Sequence, residues 1–251
     1  MAQRISILIT GASGGIGRAA AIECAARGAR IGVHYNGNRE RAEATLAALN
    51  GDGHRLFQCD IADPAAAGRL IEQADEALDG LDVLVNNAGI SQRHRFEDID
   101  YATWQETWRR IVDTNLTAAA NLSFCAGKKM IARGGGRIVN VSSRGAFRGE
   151  PLMPWYGASK AGMNAMGQSL AQALGPKGVF VYTVAPGFVE TEMAAAVLAS
   201  PEGDGIRNQS TIGRVAQPAE LGKTIGFLAL EAPEFMTGCI VDVNGASYLR
   251  S

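Results

Sequence analysis

The strongest constraint on the fold of this chain is a regular alternation of short apolar runs with longer alanine- and leucine-rich segments. Strand-length runs rich in Val and Ile lie at 5–9, 30–35, 54–59, 82–86, 137–142, 178–184 and 239–243. Segments with the composition and apolar spacing of helices lie at 16–27, 39–49, 64–78, 104–132, 155–175 and 218–230. This alternation predicts a doubly wound α/β fold, with a seven-stranded, mostly parallel sheet and helices on both faces.

Length and net charge limit the number of domains and the classes of binding partner. The 251 residues fit one undivided domain of this architecture, and no internal repeat or linker interrupts the pattern. We therefore expect a single domain over 1–251, in which 188–216 is an irregular segment. A formal net charge of −1 argues against a dedicated binder of nucleic acid or of an anionic membrane.

Cysteines and histidines predict neither a disulfide framework nor a metal site. The four cysteines lack paired spacing such as C-x-x-C, and the three histidines do not pair with one another or with cysteine at ligand spacing. The first residues lack the longer apolar stretch of a signal peptide, and no run approaches the roughly 18 apolar residues of a membrane span. We expect a soluble cytoplasmic protein without a bound metal.

A glycine-rich turn follows the first predicted strand. Thr10 leads into G-A-S-G-G-I-G at 11–17, and a helix is predicted after it. Glycine lets the backbone turn tightly and lets a pyrophosphate approach without a Cβ in the way. The N-terminus of the next helix offers unpaired N–H groups to phosphates. The pattern predicts a phosphate-binding turn, with a merely structural turn as the alternative.

The spacing G-x-x-x-G-x-G at 11–17, with Thr10 in front, resembles the short-chain dehydrogenase/reductase family. Further motifs occur in the order of that family: Asp60 after the third strand, N-N-A-G at 86–89, P-G-x-x-x-T at 186–191 and TGCIVDVNG at 237–245. The resemblance covers essentially the whole chain. It implies a Rossmann-type fold that binds NADP or NAD.

The resemblance also implies which residues contact the cofactor. Asp60 corresponds to the acidic contact with adenine, the N-N-A-G segment flanks the adenine ribose, and the P-G-x-x-x-T segment holds the nicotinamide carboxamide. The residues expected to bind the cofactor are Gly11, Ser13, Gly14, Gly15, Ile16, Gly17, Tyr35, Asn36, Asp60, Ile61, Asn87, Ala88, Gly89, Tyr156, Lys160, Pro186, Gly187, Val189 and Thr191.

Tyr156 and Lys160 form Y-x-x-x-K in a predicted helix, where a separation of four residues places both side chains on one face. The resemblance implies that Tyr156 is the general acid/base and that Lys160 donates to the nicotinamide ribose. Because a nearby ammonium favours phenolate, we expect Lys160 to lower the pKa of Tyr156 from its ordinary value of about 10. An ordinary pair on a helix surface is the alternative.

Two further polar positions complete the expected catalytic set. Ser142 and Ser143 end the fifth predicted strand and point to opposite faces. The separation between serine and tyrosine that is usual in the family selects Ser143, since 156 − 143 = 13. Asn115 resembles the asparagine that holds a water beside the lysine in the family's tetrad, with a polar residue satisfied among the helices as the alternative. The expected catalytic residues are Asn115, Ser143, Tyr156 and Lys160.

The activity implied by the resemblance is hydride transfer between the cofactor and a carbonyl or secondary alcohol. A 3-oxoacyl-carrier reductase is the first expectation, and a sugar- or polyol-type or other secondary alcohol dehydrogenase is the alternative. A dinucleotide-binding sensor or subunit without turnover is an alternative of another class. A phosphate-binding NTPase is disfavoured because the turn lacks the G-K-S/T ending.

The sequence constrains the choice between NADP and NAD, and the identity of the substrate, less than it constrains the fold. Tyr35 and Asn36 stand where members that prefer NAD carry an acidic residue, and Arg39 follows, which favours NADP. Gly14 favours NAD instead, because it stands where the glycine-rich turn of the family frequently carries a basic residue. Predicted pocket walls at 91–96, 144–155 and 188–212 hold both arginines and apolar side chains. We expect a small-molecule substrate, a mobile lid at 188–216, and a homotetramer or homodimer formed through the two long helices and the last strand.

Overall fold

A parallel sheet runs through the computed structural model, which describes residues 4–250. The strands are β1 (Ser6–Ile9), β2 (Arg30–Tyr35), β3 (Arg55–Gln58), β4 (Val83–Asn86), β5 (Gly136–Val141), β6 (Val179–Pro186) and β7 (Ile240–Val243). They lie in the order 3-2-1-4-5-6-7. Every pairing between these strands is parallel, so the predicted fold class is confirmed and the sheet is fully rather than mostly parallel. The ends of the predicted domain, 1–3 and 251, lie outside the described residues.

The helices connect the strands and pack against the sheet. In chain order they are α1 (Gly15–Ala26), α2 (Arg39–Ala47), α3 (Pro64–Ala77), α4 (Tyr101–Val112), α5 (Ala118–Arg133), α6 (Gly145–Arg148), α7 (Pro154–Leu174), α8 (Glu192–Leu198), α9 (Gly203–Arg207) and α10 (Pro218–Leu230). Single 3-10 turns occupy Phe96–Asp98, Gly175–Lys177 and Glu234–Met236.

Two apolar cores lie on opposite faces of the sheet, and β1 contributes to both. Ile7 and Ile9 belong to the core that contains residues of α1 and α10, whereas Leu8 belongs to the core that contains residues of α3 and α5. Successive strand side chains point to opposite faces, so a strand buried on both sides has a continuous apolar sequence. Burying each such side chain stabilises the fold by about 1.5–3 kcal/mol.

The long helix predicted over 104–132 differs from the structure. It begins earlier, at Tyr101, and a π-helical turn over Asp113–Thr117 separates α4 from α5. A π turn holds one extra residue per hydrogen-bonded ring and is common at functional sites. The apolar spacing stays helical on both sides, so periodicity alone did not reveal it. The segment 188–216, predicted to be irregular, contains the short helices α8 and α9.

Helices α1 and α10 approach each other closely at Gly222. A Cβ at this position would lie 2.8 Å from the carbonyl oxygen of Ala19 on α1. Only a glycine allows the two helix backbones to come this near without displacement. The position of α1, and of the glycine-rich turn that precedes it, is therefore linked to this contact.

We expect Gly222→Ala to lower the free energy of unfolding by about 1–3 kcal/mol, because the added methyl group overpacks the contact with α1. Gly68→Ala is the matched control: it lies within α3, and a Cβ there meets no atom within 4 Å. That variant should gain about 0.5–1 kcal/mol from reduced backbone entropy in the unfolded chain. Urea unfolding followed by circular dichroism measures both, and equal stability of the two variants would contradict the close approach.

Candidate active site

The carboxyl ends of β1, β4, β5 and β6 meet at one edge of the sheet. Val85 on β4 lies opposite Ile9 on β1. Further along the sheet, Asn140 pairs with Asn86 and Val141 with Val184. The loops that follow these strands therefore lie side by side. In open α/β sheets this edge, where the strand order reverses, is the place where ligands bind.

The glycine-rich turn after β1 is joined to the loop after β4 by hydrogen bonds. Thr10 Oγ1 accepts from the backbone N–H groups of Asn87 and Ala88, both at 3.0 Å. The side-chain nitrogen of Asn87 donates in return to the Thr10 carbonyl at 2.8 Å. Asn87 and Ala88, predicted to contact a cofactor, thus also hold the turn in place. Gly89, the next residue, follows them along the same edge.

The turn is shaped to receive a phosphate group. Gly15 has a φ of 52°, in the left-handed region. A Cβ at Gly17 would lie 2.5 Å from the Gly11 carbonyl oxygen. Gly14 is the N-cap of α1, no side chain caps this helix, and its first turn carries no acidic residue. Its first N–H groups thus remain available to an anion. Ser13 and Ile16 lie partly buried in the turn, and these residues fit the pyrophosphate of a dinucleotide.

His34 on β2 forms a hydrogen bond with the backbone of the glycine-rich turn. Its Nδ1 accepts from the Gly11 backbone N–H at 3.2 Å, and its Nε2 lies 3.2 Å from the Cys59 carbonyl oxygen. The ring is therefore neutral, with the proton on Nε2. Burial lowers the pKa of His34 to about 4. Sequence reasoning considered histidines only as metal ligands. The sequence did contain a signal for this role, since His34 is a polar residue within the apolar run 30–35.

Three residues at and after the end of β2, which the sequence linked to the choice of cofactor, lie in different surroundings. Tyr35 is buried, and its hydroxyl donates to Gln58 Oε1 at 3.4 Å. Asn36 is exposed. Arg39, which favoured NADP in the sequence, is exposed and pairs with Glu43 at 2.8 Å on the surface of α2.

Arg41 is the basic residue that lies over the glycine-rich turn, and sequence reasoning missed it. Its guanidinium fills the space that a Cβ at Gly14 would need. It also pairs with Glu192 Oε1 of α8 at 2.6 Å. A cation therefore covers position 14 although the turn itself contains none.

The remaining predicted cofactor residues lie at the ends of β3 and β6. Asp60 is exposed, and its carboxylate accepts from the Ala62 N–H at 2.9 Å, while Ile61 is buried. After β6, which ends at Pro186, the Gly187 N–H donates to the Val243 carbonyl at 3.0 Å, and Val189 is buried. Thr191 reaches the glycine-rich turn, with its Cγ2 3.2 Å from the position of a Cβ at Gly15.

The tyrosine and lysine of the Y-x-x-x-K motif lie on α7 beside the end of β5. Lys160 is buried, and its Nζ donates to the Val141 carbonyl at 2.8 Å and lies 5.8 Å from the ring centroid of Tyr156. Ser142 Oγ donates to the Lys160 carbonyl at 3.2 Å, whereas Ser143 Oγ accepts from the Gly145 N–H at 3.0 Å. The two serines thus have separate partners, and Ser143 is the one whose hydroxyl acts on Tyr156, where it opposes a rise of the pKa.

Burial shifts both titratable groups of this motif. It lowers the pKa of Lys160 to about 8. It raises the pKa of Tyr156, an effect that the Ser143 hydroxyl opposes and the negative charge of Glu150 reinforces. The expectation that Lys160 lowers the pKa of Tyr156 was therefore wrong for the protein alone. The physical reason is that burial of the phenol dominates, while the ammonium group is directed to the Val141 carbonyl.

Asn115 lies on the π-helical turn and is fully buried. Its side chain accepts from the Ile90 N–H at 2.8 Å and donates to the Ile90 carbonyl at 2.9 Å and to Ser159 Oγ at 3.2 Å. Asn115 Oδ1 and Lys160 Nζ lie 3.3 and 3.4 Å from the position of a Cβ at Gly89. The structure therefore brings Asn115 beside Lys160, with its amide committed to the loop after β4.

Known proteins match the chain over nearly its whole length. The family described as enoyl-(acyl carrier protein) reductase matches residues 11–246. The 3-oxoacyl-(acyl-carrier-protein) reductase of Staphylococcus aureus is 33% identical over 97% of this chain and 98% of its own. The acetoacetyl-CoA reductase of Rhizobium meliloti is 34% identical over 96% of this chain and 97% of its own. The chain belongs to the short-chain dehydrogenase/reductase family.

A solved structure supports the same family at the level of the fold. A protein of Agrobacterium tumefaciens that has been proposed to be a gluconate dehydrogenase superposes with a TM-score of 0.87 and 29% identity, covering 97% of this chain and 95% of that one. As a short-chain dehydrogenase/reductase, the protein is an oxidoreductase that uses a nicotinamide dinucleotide and acts on the carbonyl or alcohol group of a small molecule. Within residues 4–250, no helix combines the length and apolarity needed to cross a membrane.

The burial of neutral His34 predicts a pH-dependent loss of stability. The unfolded chain takes up a proton at His34 near pH 6.5, whereas the folded protein does so only near pH 4. The free energy of unfolding should therefore fall between these values, by on the order of 3 kcal/mol at the acid end. Urea unfolding at pH 5–7 should show this slope in the wild type and in His94→Asn, but a shallower slope in His34→Asn. Identical slopes in all three proteins would contradict the assignment.

Proposed function

We propose that the protein reduces the carbonyl group of a 3-oxoacyl-type substrate with NADPH, or catalyses the reverse oxidation, with Ser143, Tyr156 and Lys160 as its catalytic residues. The observation that carries this proposal is the convergence of a phenol, a hydroxyl and a buried ammonium at the edge of the sheet that also holds the glycine-rich turn.

Each residue has a distinct part in the reaction. When bound, the reduced nicotinamide supplies a hydride to the carbonyl carbon. Tyr156 transfers its phenolic proton to the carbonyl oxygen, which completes the alcohol, and Ser143 donates a hydrogen bond to the same oxygen. The raised pKa of Tyr156 keeps the phenol protonated at neutral pH, as reduction requires. Lys160, whose ammonium donates to the Val141 carbonyl, would hold the nicotinamide ribose rather than lower the pKa of Tyr156.

Other residues position these groups and hold the cofactor. Asn115 fixes the loop of Ile90 beside Lys160 through its two hydrogen bonds to that backbone. The glycine-rich turn, the segment 87–89 and the segment 186–191 bind the dinucleotide, with Asp60 and Ile61 at its adenine end. The whole chain works as one dinucleotide-binding domain.

Tyr156→Phe should reduce kcat by about 10²–10⁴-fold, because the variant lacks the proton that the alkoxide needs. Binding of the cofactor, measured by fluorescence titration, should change less than about threefold, a difference of under 1 kcal/mol. Tyr101→Phe is the matched control, since Tyr101 is exposed at the start of α4. Full activity of Tyr156→Phe would overturn the assignment of the general acid.

We also propose a preference for NADP(H) over NAD(H). No carboxylate follows β2 at Tyr35 and Asn36 to repel a 2′-phosphate. In doubly wound folds an arginine near this point accommodates that phosphate, and Arg41 lies over the turn at Gly14. Its guanidinium pairs there with the carboxylate of Glu192, whose place a 2′-phosphate would take.

Arg41→Met should weaken NADP⁺ binding by about 10–100-fold, the effect of losing one or two charged hydrogen bonds, and leave NAD⁺ binding nearly unchanged. Arg39→Met is the matched control, because Arg39 lies on the same helix but pairs outward with Glu43. Fluorescence titration with each dinucleotide measures both effects. An equal loss for NADP⁺ and NAD⁺, or higher kcat/KM with NADH than with NADPH in the wild type, would contradict the preference.

The segment 188–216 is proposed to act as a lid over the substrate. It carries a small apolar cluster of its own, composed of Ala194, Leu198, Ile206 and Val215. Exposed ion pairs, Arg41–Glu192 and Arg93–Glu202, connect it to the rest of the molecule. Exposed ion pairs contribute only about 0–1 kcal/mol each, so these two pairs add little resistance to opening.

Separate observations support the substrate class, the assembly and the location that we propose. The reductases of S. aureus and R. meliloti support a 3-oxoacyl substrate, and the similarity to the A. tumefaciens protein favours a sugar acid as the second candidate. Exposed Phe96, Tyr101 and Phe124, in and beside α4 and α5, support a homotetramer or homodimer formed through these helices. Four free thiols support a cytoplasmic location.

A further inference from the structure

Glu150 carries a carboxylate that lies beside the hydroxyl proposed to contact the substrate. It belongs to the loop between α6 and α7. A Cβ at Gly145 would lie 2.9 Å from Glu150 Oε1 and 3.3 Å from Ser143 Oγ. These two distances from one point leave at most 6.2 Å between the carboxylate oxygen and the hydroxyl oxygen. The carboxylate is therefore within reach of a ligand that Ser143 also contacts.

Backbone contacts hold the loop of Glu150 against the start of α7. The Met153 N–H donates to the Glu150 carbonyl at 2.9 Å, and the Tyr156 N–H donates to the Met153 carbonyl at 3.0 Å. A Cβ at Gly157, the residue after Tyr156, would lie 4.0 Å from the Glu150 backbone nitrogen. Glu150 is thus close to the phenol, and its negative charge adds to the effect of burial in raising the pKa of Tyr156.

The Glu150 carboxylate lacks a hydrogen-bond donor among residues 4–250. Arg148 Nε lies 3.7 Å from Oε1, which is too far for a hydrogen bond. The Glu150 side chain is only 15% exposed, so water has limited access to it. A charged acceptor that is largely removed from water is costly unless a donor compensates for the lost hydration. The carboxylate is therefore open to a donor that a ligand supplies.

The charges around Glu150 favour a neutral donor over a cationic one. The loop 144–150 holds two arginines, Arg144 and Arg148, against the single carboxylate of Glu150. Burial lowers the pKa of Arg144, and the charge of Glu150 opposes this effect. An ammonium group of a ligand would meet the surplus of positive charge, whereas an uncharged hydroxyl would not. Hydrogen bonds from a hydroxyl to a carboxylate are also about twice as strong as those between neutral groups.

We propose that Glu150 accepts a hydrogen bond from a substrate hydroxyl on the carbon next to the reacting carbonyl. The proposal rests on the proposed function and, between its two candidate substrate classes, favours the hydroxylated sugar acid over the acyl chain. Ser143 contacts the carbonyl oxygen and Glu150 the neighbouring hydroxyl, which the separation of their oxygens permits. A substrate without this hydroxyl leaves the carboxylate unpaired, and sites of this kind discriminate strongly against such analogues.

The test compares hydroxyketones with ketones that lack only the hydroxyl. Hydroxyacetone beside acetone, and acetoin beside butan-2-one, are assayed with NADPH and NADH on the wild type, Glu150→Ala and Glu150→Gln. In at least one pair, the ratio of kcat/KM values should fall by about 10–100-fold from the wild type to Glu150→Ala, the effect of losing one charged hydrogen bond. Glu150→Gln, which keeps an acceptor oxygen without the charge, should show a smaller fall.

The comparison of ratios isolates the contact with the hydroxyl. An effect of Glu150 on the pKa of Tyr156 acts on both ketones of a pair and cancels, and so does the greater intrinsic reactivity of a hydroxyketone when one variant is compared with another. Glu97→Ala is the matched control, because Glu97 is exposed in the 3-10 turn at Phe96–Asp98. It should leave the wild-type ratios unchanged.

A binding measurement separates this proposal from the proposed function. Butane-2,3-diol and butan-2-ol cannot react with the NADPH complex, since ligand and cofactor are both reduced. Cofactor fluorescence should show that the wild type binds the diol about 10-fold more tightly than butan-2-ol, and that Glu150→Ala does not. If no ketone turns over, the proposed function fails, and these affinities alone decide the role of Glu150. Ratios that Glu150→Ala leaves at their wild-type values would overturn it.

Discussion

The parallel pairing of the strands is the constraint on which the rest of this molecule depends. Because neighbouring strands run in the same direction, their carboxyl ends open at one edge, and Thr10, Ser143 and Pro186 meet there although they are far apart in the chain. The two cores hold the register, since a slip of one residue would exchange Ile7 and Leu8 between the faces. Burial on both faces thereby positions the polar groups at the edge.

Those polar groups are the least favourable part of the structure for stability. Burial lowers the pKa values of Lys160 to about 8 and of His34 to about 4, so the folded state disfavours the charged form of each. The costs are tolerated because each group has a backbone partner, Val141 for the lysine and Gly11 for the histidine. Natural proteins commonly accept such costs where activity requires them. Here the stabilising cores lie away from the edge, and the costly groups lie on it.

Local pattern was sufficient for most of the architecture. The helix predicted over 218–230 has the same bounds as α10, because apolar period and strong boundaries agree there. The π-helical turn at Asp113–Thr117 escaped prediction because Asn115 stabilises it through Ile90, a tertiary contact. Arg39 was the visible cation after β2, yet it faces solvent. Two residues further along a helix is a rotation of about 200°, so Arg41 faces the glycine-rich turn instead.

The sequence by itself determined the class of fold, the family and the residue types of the site, because strand and helix periods and short motifs are properties of neighbouring residues. Only the tertiary structure decided which charges meet and which stay unpaired. Arg41 and Glu192 are 151 positions apart and form an ion pair, and Arg144 is buried with its guanidinium donating to the amide oxygen of Gln209. The rise in the pKa of Tyr156 is likewise a tertiary effect, because it comes from burial of the phenol. Burial and through-space distance set electrostatic energies, and neither can be read from spacing along the chain.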